Sequence, residues 1–289
     1  MNRKGVILAG AGAAAFAGLS LWNYDRFMGH PLKLGETTYK IIKKPFSCTR
    51  DGITLKGEIL LPDGKTGRLP TVIMCHGYGS SYKLCKKLAG ITLAQSGFAC
   101  VVFDFFGGSR HSISGGSMTD MSVFTEKADL DAVTDAVLKM DFADTDRLFL
   151  FGESHGGLVS AVTADSRDVY SALVLYYPAF TMAYDASRAF KRTEDIPDEA
   201  KFGVTVKGRK YFEDIMGWNV YEHIAGYKKD VLIIHGDADS VIDVSCAYKA
   251  KELYENAQLH ILPGQPHGFD GRGKMEAARL TYSFLKNHI

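Results

Sequence analysis

The sequence predicts an α/β fold in which a mostly parallel sheet carries helices on both faces. Short apolar runs alternate with stretches of helical periodicity through most of the 289 residues, and this alternation is typical of parallel sheets. Five runs contain no charge and suit strands that are covered on both faces: 71–75, 99–103, 148–151, 172–176 and 231–234. Hydrophobic residues make up 46% of the chain, which is enough to form one large core.

The other elements of the fold follow from local signals. Residues 39–48 and 53–61 predict an antiparallel hairpin, and Arg50-Asp51-Gly52 supplies the turn between its strands. Apolar spacing and capping signals predict the remaining elements: helices over 84–95, from Ser122 to Met140 and over 244–254, a strand over 258–262, and a final helix containing Met275 and Leu285.

One long stretch interrupts the alternation of strands and helices. Residues 179–229, here called the inserted segment, are polar, irregular and longer than a usual connection. We predict that they form a cap above the carboxyl ends of the strands, where ligands bind in such folds. Most of its many aromatic side chains should form a small core of their own, and a few, with Trp218 the candidate, should face a substrate.

The N-terminal 30 residues differ from the rest, so we expect a separate domain over 31–289. Arg3 and Lys4 precede the uncharged run 6–22, which would span about 25 Å as a helix, against about 30 Å for a bilayer core. Such a start predicts a secretory signal or a membrane anchor, with the globular domain outside the cytoplasm. A packed N-terminal helix is the alternative.

The same segment contains a pattern that suggests a cofactor. Gly10-Ala11-Gly12-Ala13-Ala14-Ala15 fits the dinucleotide fingerprint G-x-G-x-x-A. That fingerprint requires a surrounding βαβ unit, and no second strand follows at the right distance. No dinucleotide cofactor is therefore expected.

Charge and cysteine content exclude other partners. The formal net charge is +1 and lysines and arginines form no stripe, so nucleic acid is not an expected partner. The five cysteines are odd in number and match no zinc spacing. Neither a metal site nor a disulfide framework is predicted.

The motif that carries chemistry is Gly152-Glu153-Ser154-His155-Gly156, which fits G-x-S-x-G. It follows a predicted strand and precedes a predicted helix, so the serine lies on a sharp turn that needs small neighbours. The positive end of the helix would favour an oxyanion formed in acyl transfer. Ser154 is therefore the candidate nucleophile, and the alternative is an ordinary serine in a glycine-rich turn.

A serine hydroxyl needs a base to remove its proton. Besides the adjacent His155, we consider four of the histidines that follow the serine as bases: His223, His235, His260 and His267. His267 lies in a Gly/Pro-rich loop after the last predicted strand, which suits an imidazole held over the sheet, whereas His235 is expected to close a turn. A metal site of these histidines with Asp237 fits no common ligand spacing.

The acid that orients the base should follow the strand 231–234. Asp237, Asp239 and Asp243 are the candidates, and Asp239 is favoured because it lies deeper in the loop. Asp237 is expected to bond its own turn. The oxyanion would bind the backbone N–H of His155 and that of Tyr78 in the glycine-rich loop after 71–75. For that loop, a plain glycine-rich turn is the alternative.

These motifs resemble those of the cinnamoyl and feruloyl esterase-like α/β-hydrolases. The resemblance rests on H-G-Y-G at His76, G-E-S-H-G around Ser154, H-G-D-A-D-S-V at His235 and P-H-G-F at His267, and on two longer stretches, 114–126 and 208–224. It runs from about Tyr39 to the C-terminus. It implies Ser154 as nucleophile, Asp239 as acid, His267 as base and Tyr78 and His155 as oxyanion donors. No cofactor is expected.

The expected function is therefore serine carboxylic-ester hydrolysis of small acyl or cinnamoyl-type esters. A serine peptidase of the same fold, similar to prolyl peptidases or aminopeptidases, is the alternative. An aminopeptidase needs a carboxylate for the substrate ammonium group, and the inserted segment offers Glu194, Asp195, Glu213 and Asp214. A binding protein that has lost activity is disfavoured by the intact serine, aspartate and histidine.

Overall fold

The computed structural model describes residues 6–7, 32, 34–202 and 205–289. The strands are β1 Val6–Ile7, β2 Ile41–Arg50, β3 Ile53–Pro62, β4 Leu69–Cys75, β5 Ala99–Asp104, β6 Ala143–Glu153, β7 Ala172–Tyr176, β8 Glu199–Phe202, β9 Thr205–Gly208, β10 Asp230–Gly236 and β11 Ala257–Leu262. Within the described residues, eight of them form one sheet in the order β11-β10-β7-β6-β4-β5-β3-β2.

Pairing in this sheet is parallel from β11 to β5 and antiparallel where β3 meets β5 and β2. The predicted fold class, a mostly parallel sheet of the α/β-hydrolase kind, is confirmed. The hairpin of β2 and β3 also forms as predicted. Its turn residues Asp51 and Gly52 have φ values of 50° and 79°, a conformation that glycine adopts at little cost.

Helices cover both faces of the sheet. They are α1 (Tyr82–Cys85, π-helical Lys86–Gly90 and Ile91–Gln95), α2 Val123–Val137, α3 Ser154–Ser166, α4 Met182–Ala189, α5 Arg209–Ile215, α6 Ser245–Leu253 and α7 Gly271–Lys286. One buried cluster joins the sheet to α2, α3 and α6, and a second joins it to α1 and α7.

Side chains cap the N-termini of two helices, α2 and α7. Ser122 and Thr125 form a reciprocal capping box at α2, as the sequence indicated for Ser122. Asp270 accepts hydrogen bonds from the N–H groups of Arg272 and Gly273 at α7. Both caps satisfy donors that have no partner inside a helix. The π-helical part of α1 was not predicted.

The inserted segment has more regular structure than its sequence suggested. It contains α4, α5, two short 3₁₀ helices, and the antiparallel pair of β8 and β9. Its aromatic rings pack on one another, with Phe190 5.1 Å and Tyr211 5.5 Å from Phe212 between ring centroids. Most of them therefore belong to a core, while Tyr184 is largely exposed.

The N-terminal prediction concerns residues 1–30, which lie outside the described residues except for Val6 and Ile7. The backbone of these two residues pairs in parallel with Ala200 and Lys201 of β8. Among the helices that the structure describes, none is both long and apolar enough to cross a bilayer.

Candidate active site

Ser154 lies at the sharp turn between β6 and α3. Its φ is +51°, a left-handed conformation that costs energy for any residue with a side chain. The flanking glycines make the turn feasible, because a methyl group on Gly152 would lie 2.4 Å from Gly156 O, and one on Gly156 2.4 Å from His76 O. The two glycines of the motif are thus required by close backbone contacts, and the turn places Ser154 directly after the carboxyl end of β6.

The three residues predicted to act together lie within hydrogen-bond distance. His267 Nε2 is 3.0 Å from Ser154 Oγ, and His267 Nδ1 is 2.8 Å from Asp239 Oδ2. His267 comes from the loop between β11 and α7, and Asp239 from the loop after β10. With Nδ1–H donated to the carboxylate, Nε2 is left to accept the serine proton, which is the arrangement needed to activate a hydroxyl.

Asp239 is held at four points. Its Oδ1 accepts hydrogen bonds from the N–H groups of Val241 (2.8 Å) and Ile242 (2.9 Å), while Oδ2 faces His267 at 2.8 Å and His235 at 3.2 Å. Burial raises the pKa of Asp239, but the hydrogen bonds from His235 and His267 outweigh it and hold the pKa well below its usual range. The carboxylate therefore stays charged beside the imidazole.

The other acidic candidates accept hydrogen bonds from backbone N–H groups. Asp237 is exposed and accepts a hydrogen bond from Gly264 N–H at 2.6 Å, and Asp243 accepts one from Ser245 N–H at 2.9 Å. Asp237 thus ties its turn to the loop after β11, and the prediction that it would bond its own turn is wrong. Neither contact involves an imidazole of the candidate site.

The remaining histidines are placed elsewhere, with one exception. His260 lies within β11, and His223 stacks on Trp218 with ring centroids 5.2 Å apart. His235, which the sequence suggested would only close a turn, is fully buried and contacts the candidate acid. That part of the interpretation was incomplete, because a contact between a strand residue and a residue four positions later in the following loop has no sequence signature.

The predicted oxyanion donors lie on the two segments that meet at Ser154. His155 lies in the first turn of α3, where N–H groups have no acceptor inside the helix. Tyr78 lies in the loop after β4, and in that loop a methyl group on Gly77 would lie 3.1 Å from Ser154 Cβ. His76 fixes the loop, since Nδ1–H donates to Gly77 O at 2.8 Å and Nε2 accepts from Phe105 N–H at 3.1 Å.

The side chains around this loop also contact the inserted segment. The Tyr78 hydroxyl donates to Val206 O of β9. Lys207 Nζ lies 3.8 Å from the ring centroid of Tyr211 and 4.7 Å from that of Tyr78. The inserted segment is therefore packed directly against the candidate oxyanion loop.

A buried acid and base beside the nucleophile were not anticipated. His155 Nδ1 lies 2.8 Å from Glu126 Oε2, and both side chains are almost inaccessible to solvent. Burial raises the pKa of Glu126 to about 8 and lowers that of His155 to about 3. Glu126 belongs to the stretch 114–126 that carried the family resemblance, but nothing local in the sequence assigns it a partner.

Trp218, the predicted substrate-facing residue, packs its ring edge-on against Phe124, with ring centroids 5.4 Å apart, and stacks on His223.

A separate cleft of about 860 Å³ lies between the inserted segment and α6, lined by Phe180, Tyr221, Asp239 and Tyr248 among others. Ser154, His267 and Trp218 are not among the described residues that line it. The cleft therefore borders the candidate acid without including the nucleophile.

Metal ligands do not cluster in the part of the chain that the structure covers. No group of three or more His, Cys, Asp or Glu side chains there could hold a metal ion. The five cysteines are free thiols.

Comparisons with known proteins agree on the fold. The chain is similar to Est1E from Butyrivibrio proteoclasticus, solved with ferulic acid bound, with 26% identity, a TM-score of 0.75, and 84% of this chain and 99% of that chain covered. GrgF, an α/β hydrolase from Penicillium sp. sh18, gives 15% identity, a TM-score of 0.68 and coverage of 86% and 99%. Dienelactone hydrolase from Anabaena variabilis gives 20% identity, a TM-score of 0.58 and coverage of 86% of this chain and 99% of that chain.

No curated protein sequence matches the chain significantly. The family model described as the prolyl oligopeptidase family, Peptidase_S9, matches residues 89–289. This match covers well over half of the chain, and it includes the strands and loops that carry Ser154, Asp239 and His267. The chain belongs to the prolyl oligopeptidase family and is a serine hydrolase of the α/β-hydrolase fold.

Proposed function

We propose that this enzyme is a carboxylesterase that hydrolyses small acyl and aromatic, cinnamoyl-type esters through an acyl-enzyme on Ser154. The observation that carries the proposal is the position of the His267 imidazole, which lies within hydrogen-bond distance of both Ser154 Oγ and Asp239 Oδ2. Such a set activates a hydroxyl for attack on a carbonyl carbon.

The proposed reaction has two halves. Ser154 Oγ attacks the ester carbonyl while His267 Nε2 takes the proton of the serine hydroxyl. The oxyanion that forms accepts hydrogen bonds from the backbone N–H groups of Tyr78 and His155. His267 then gives the proton to the departing alcohol, which leaves the acyl group on Ser154. Water, deprotonated by His267, attacks the acyl-enzyme and releases the acid, restoring the serine hydroxyl.

Similarity supports esters rather than peptides as substrates. Est1E binds ferulic acid, and 99% of the Est1E chain matches 84% of this chain. The family model, whose description names a peptidase, supports the alternative. The comparison with Est1E covers 84% of this chain, whereas the family model matches residues 89–289, and this greater coverage favours the ester.

The acidic residues of the inserted segment also favour an ester. A peptidase that holds a substrate ammonium group needs an available carboxylate, but three of the four candidates already form ion pairs. Asp195 pairs with Arg192, Glu213 with Arg209 and Asp214 with Lys210, at 2.9, 3.5 and 3.0 Å. These exposed pairs join neighbouring residues on one element and lower the negative charge offered to a ligand.

The experiment compares kcat/KM for three kinds of substrate: p-nitrophenyl acetate and butyrate, methyl ferulate, and the p-nitroanilides of alanine and proline. We expect measurable hydrolysis of the short esters and of methyl ferulate, with little activity on the anilides. An apolar pocket distinguishes one methylene by only about 1–3 kcal/mol, so the preference among short esters should be graded. Much faster hydrolysis of the anilides would replace this proposal by the peptidase.

A further inference from the structure

His235 makes a contact with the candidate acid that the proposed reaction does not yet use. It lies near the end of β10, and its side chain is completely buried. Its Nε2 is 3.1 Å from Ile242 O and 3.2 Å from Asp239 Oδ2. Both neighbours are acceptors, so Nε2 must carry the hydrogen that they share.

The strand that carries His235 gives this contact a fixed origin. β10 is paired on both edges, with β7 on one side and β11 on the other, and His235 is in register with Ile261 of β11. Asp239, by contrast, lies in a loop. A hydrogen bond from His235 therefore ties the carboxylate of a loop residue to a strand that is paired on both sides.

Asp239 Oδ2 then serves two imidazoles at once. His267 approaches it at 2.8 Å and His235 at 3.2 Å, while the two backbone N–H groups hold Oδ1. Without the His235 N–H, the backbone groups would still fix one oxygen, but the other would face His267 alone. The direction of that oxygen decides where Nδ1–H of His267 points, and hence where Nε2 meets Ser154.

We propose that His235 is a positioning residue for catalysis, which acts by orienting the Asp239 carboxylate toward His267. This inference rests on the proposed function, because it needs Asp239 to be the acid of the reaction. His235 itself touches neither the serine nor the substrate; its effect passes through Asp239.

The test replaces His235 with Gln and with Asn. The Gln side chain can place an N–H where Nε2 lies, whereas the shorter Asn side chain reaches only the position of Nδ1. We expect His235→Gln to keep kcat on p-nitrophenyl butyrate near that of the wild type. His235→Asn should lose about 10- to 100-fold, the effect of removing a hydrogen bond to a charged group, with KM unchanged. Equal kcat values for the two folded variants would overturn the proposal.

A double-mutant cycle separates positioning from simple support of the fold. If His235 acts through Asp239, adding His235→Asn to Asp239→Asn should lower kcat by less than about twofold further, because the interaction is already lost. Losses that multiply in the double variant would show a role independent of Asp239 and contradict the inference. Thermal unfolding of each variant checks that the comparison is made on folded protein.

The two proposals fail in different ways. If Asp239→Asn leaves kcat unchanged, Asp239 is not the acid, and the acid assignment in the proposed reaction fails together with the positioning role, whereas much faster hydrolysis of the anilides would overturn the proposed function. If Asp239→Asn abolishes turnover while both His235 variants retain it, only the positioning role is wrong.

Discussion

Replacing Asp239 with Asn should nearly abolish turnover while leaving the fold in place. The carboxylate accepts four hydrogen bonds, two from backbone N–H groups at Oδ1 and two from imidazoles at Oδ2. An amide has one acceptor oxygen and an NH₂ group that only donates. No orientation of the substituted amide can therefore satisfy the same four donors.

Each orientation of the amide has a definite consequence. With its oxygen toward Val241 and Ile242, the NH₂ group faces His267 Nδ1, which must then give up its hydrogen to Nε2. A protonated Nε2 cannot take the serine proton. Because the imidazole is then held in the wrong tautomer, we expect kcat to fall by about 10⁴, which corresponds to about 5.5 kcal/mol of transition-state stabilisation. In the flipped orientation, the NH₂ group meets two backbone donors instead.

The stability effect has a predictable pH dependence. The pKa of Asp239 lies below its usual range in the folded protein, so its charged form adds stability above about pH 4, where the unfolded side chain is also ionised. That contribution is lost as the pH falls toward the folded pKa. The difference in unfolding free energy between wild type and Asp239→Asn should be constant above about pH 4 and shrink below it.

The assay is kcat and KM on p-nitrophenyl butyrate, with unfolding followed by circular dichroism. Asp237→Asn is the matched control, because Asp237 only accepts a hydrogen bond from Gly264 N–H, and it should keep kcat within about threefold. The reasoning is refuted if Asp239→Asn retains kcat within about tenfold of the wild type, or if Asp237→Asn loses more.

Three other predictions concern Trp218, Glu126 and the N-terminal residues. Trp218→Ala should change the kcat/KM ratio between methyl ferulate and p-nitrophenyl acetate more than the rate of labelling of Ser154 by a fluorophosphonate; no change in the ratio would place Trp218 only in the core of the inserted segment. The pKa of Glu126 is about 8 in the folded protein and near its ordinary value of 4.5 in the unfolded chain. The unfolding free energy of the wild type should therefore decrease as the pH rises from about 4.5 to about 8. The stability of Glu126→Gln relative to wild type should thus increase from about pH 5 to about pH 7, and a pH-independent difference in urea unfolding contradicts this. Because we propose that residues 1–30 target or anchor the chain, a chain that starts at His30 should stay folded and keep its kcat, and loss of folding would favour a packed N-terminal segment.

Local patterns account for much of the fold. The β2–β3 turn is predicted by Asp51-Gly52, the start of α2 by Ser122, and the buried strands by runs without charge, because each depends on neighbours in sequence. The turn at Ser154 is also local, since the two glycines and the serine must share one tight backbone. The same patterns nominated Asp239 and His267 from their places after strands.

The contacts that were missed are between residues brought together by the tertiary fold. Glu126 and His155 are 29 positions apart and meet only because α2 packs beside α3. The contact of His235 with Asp239 depends on how the loop after β10 folds back on its own strand. The pairing of β8 with β9 and the place of Lys207 against Tyr78 arise within a segment whose polar sequence shows no clear period.

The central claim, that Ser154 carries the acyl group, is tested most directly by mass spectrometry of the enzyme after brief reaction with a fluorophosphonate and after mixing with p-nitrophenyl acetate. We expect one adduct per chain in each case, mapped by peptide fragmentation to the peptide containing Ser154 and absent from Ser154→Ala, whose kcat should be lower by about 10⁴- to 10⁶-fold. An adduct on another residue, or a folded Ser154→Ala enzyme with wild-type turnover, would contradict the account.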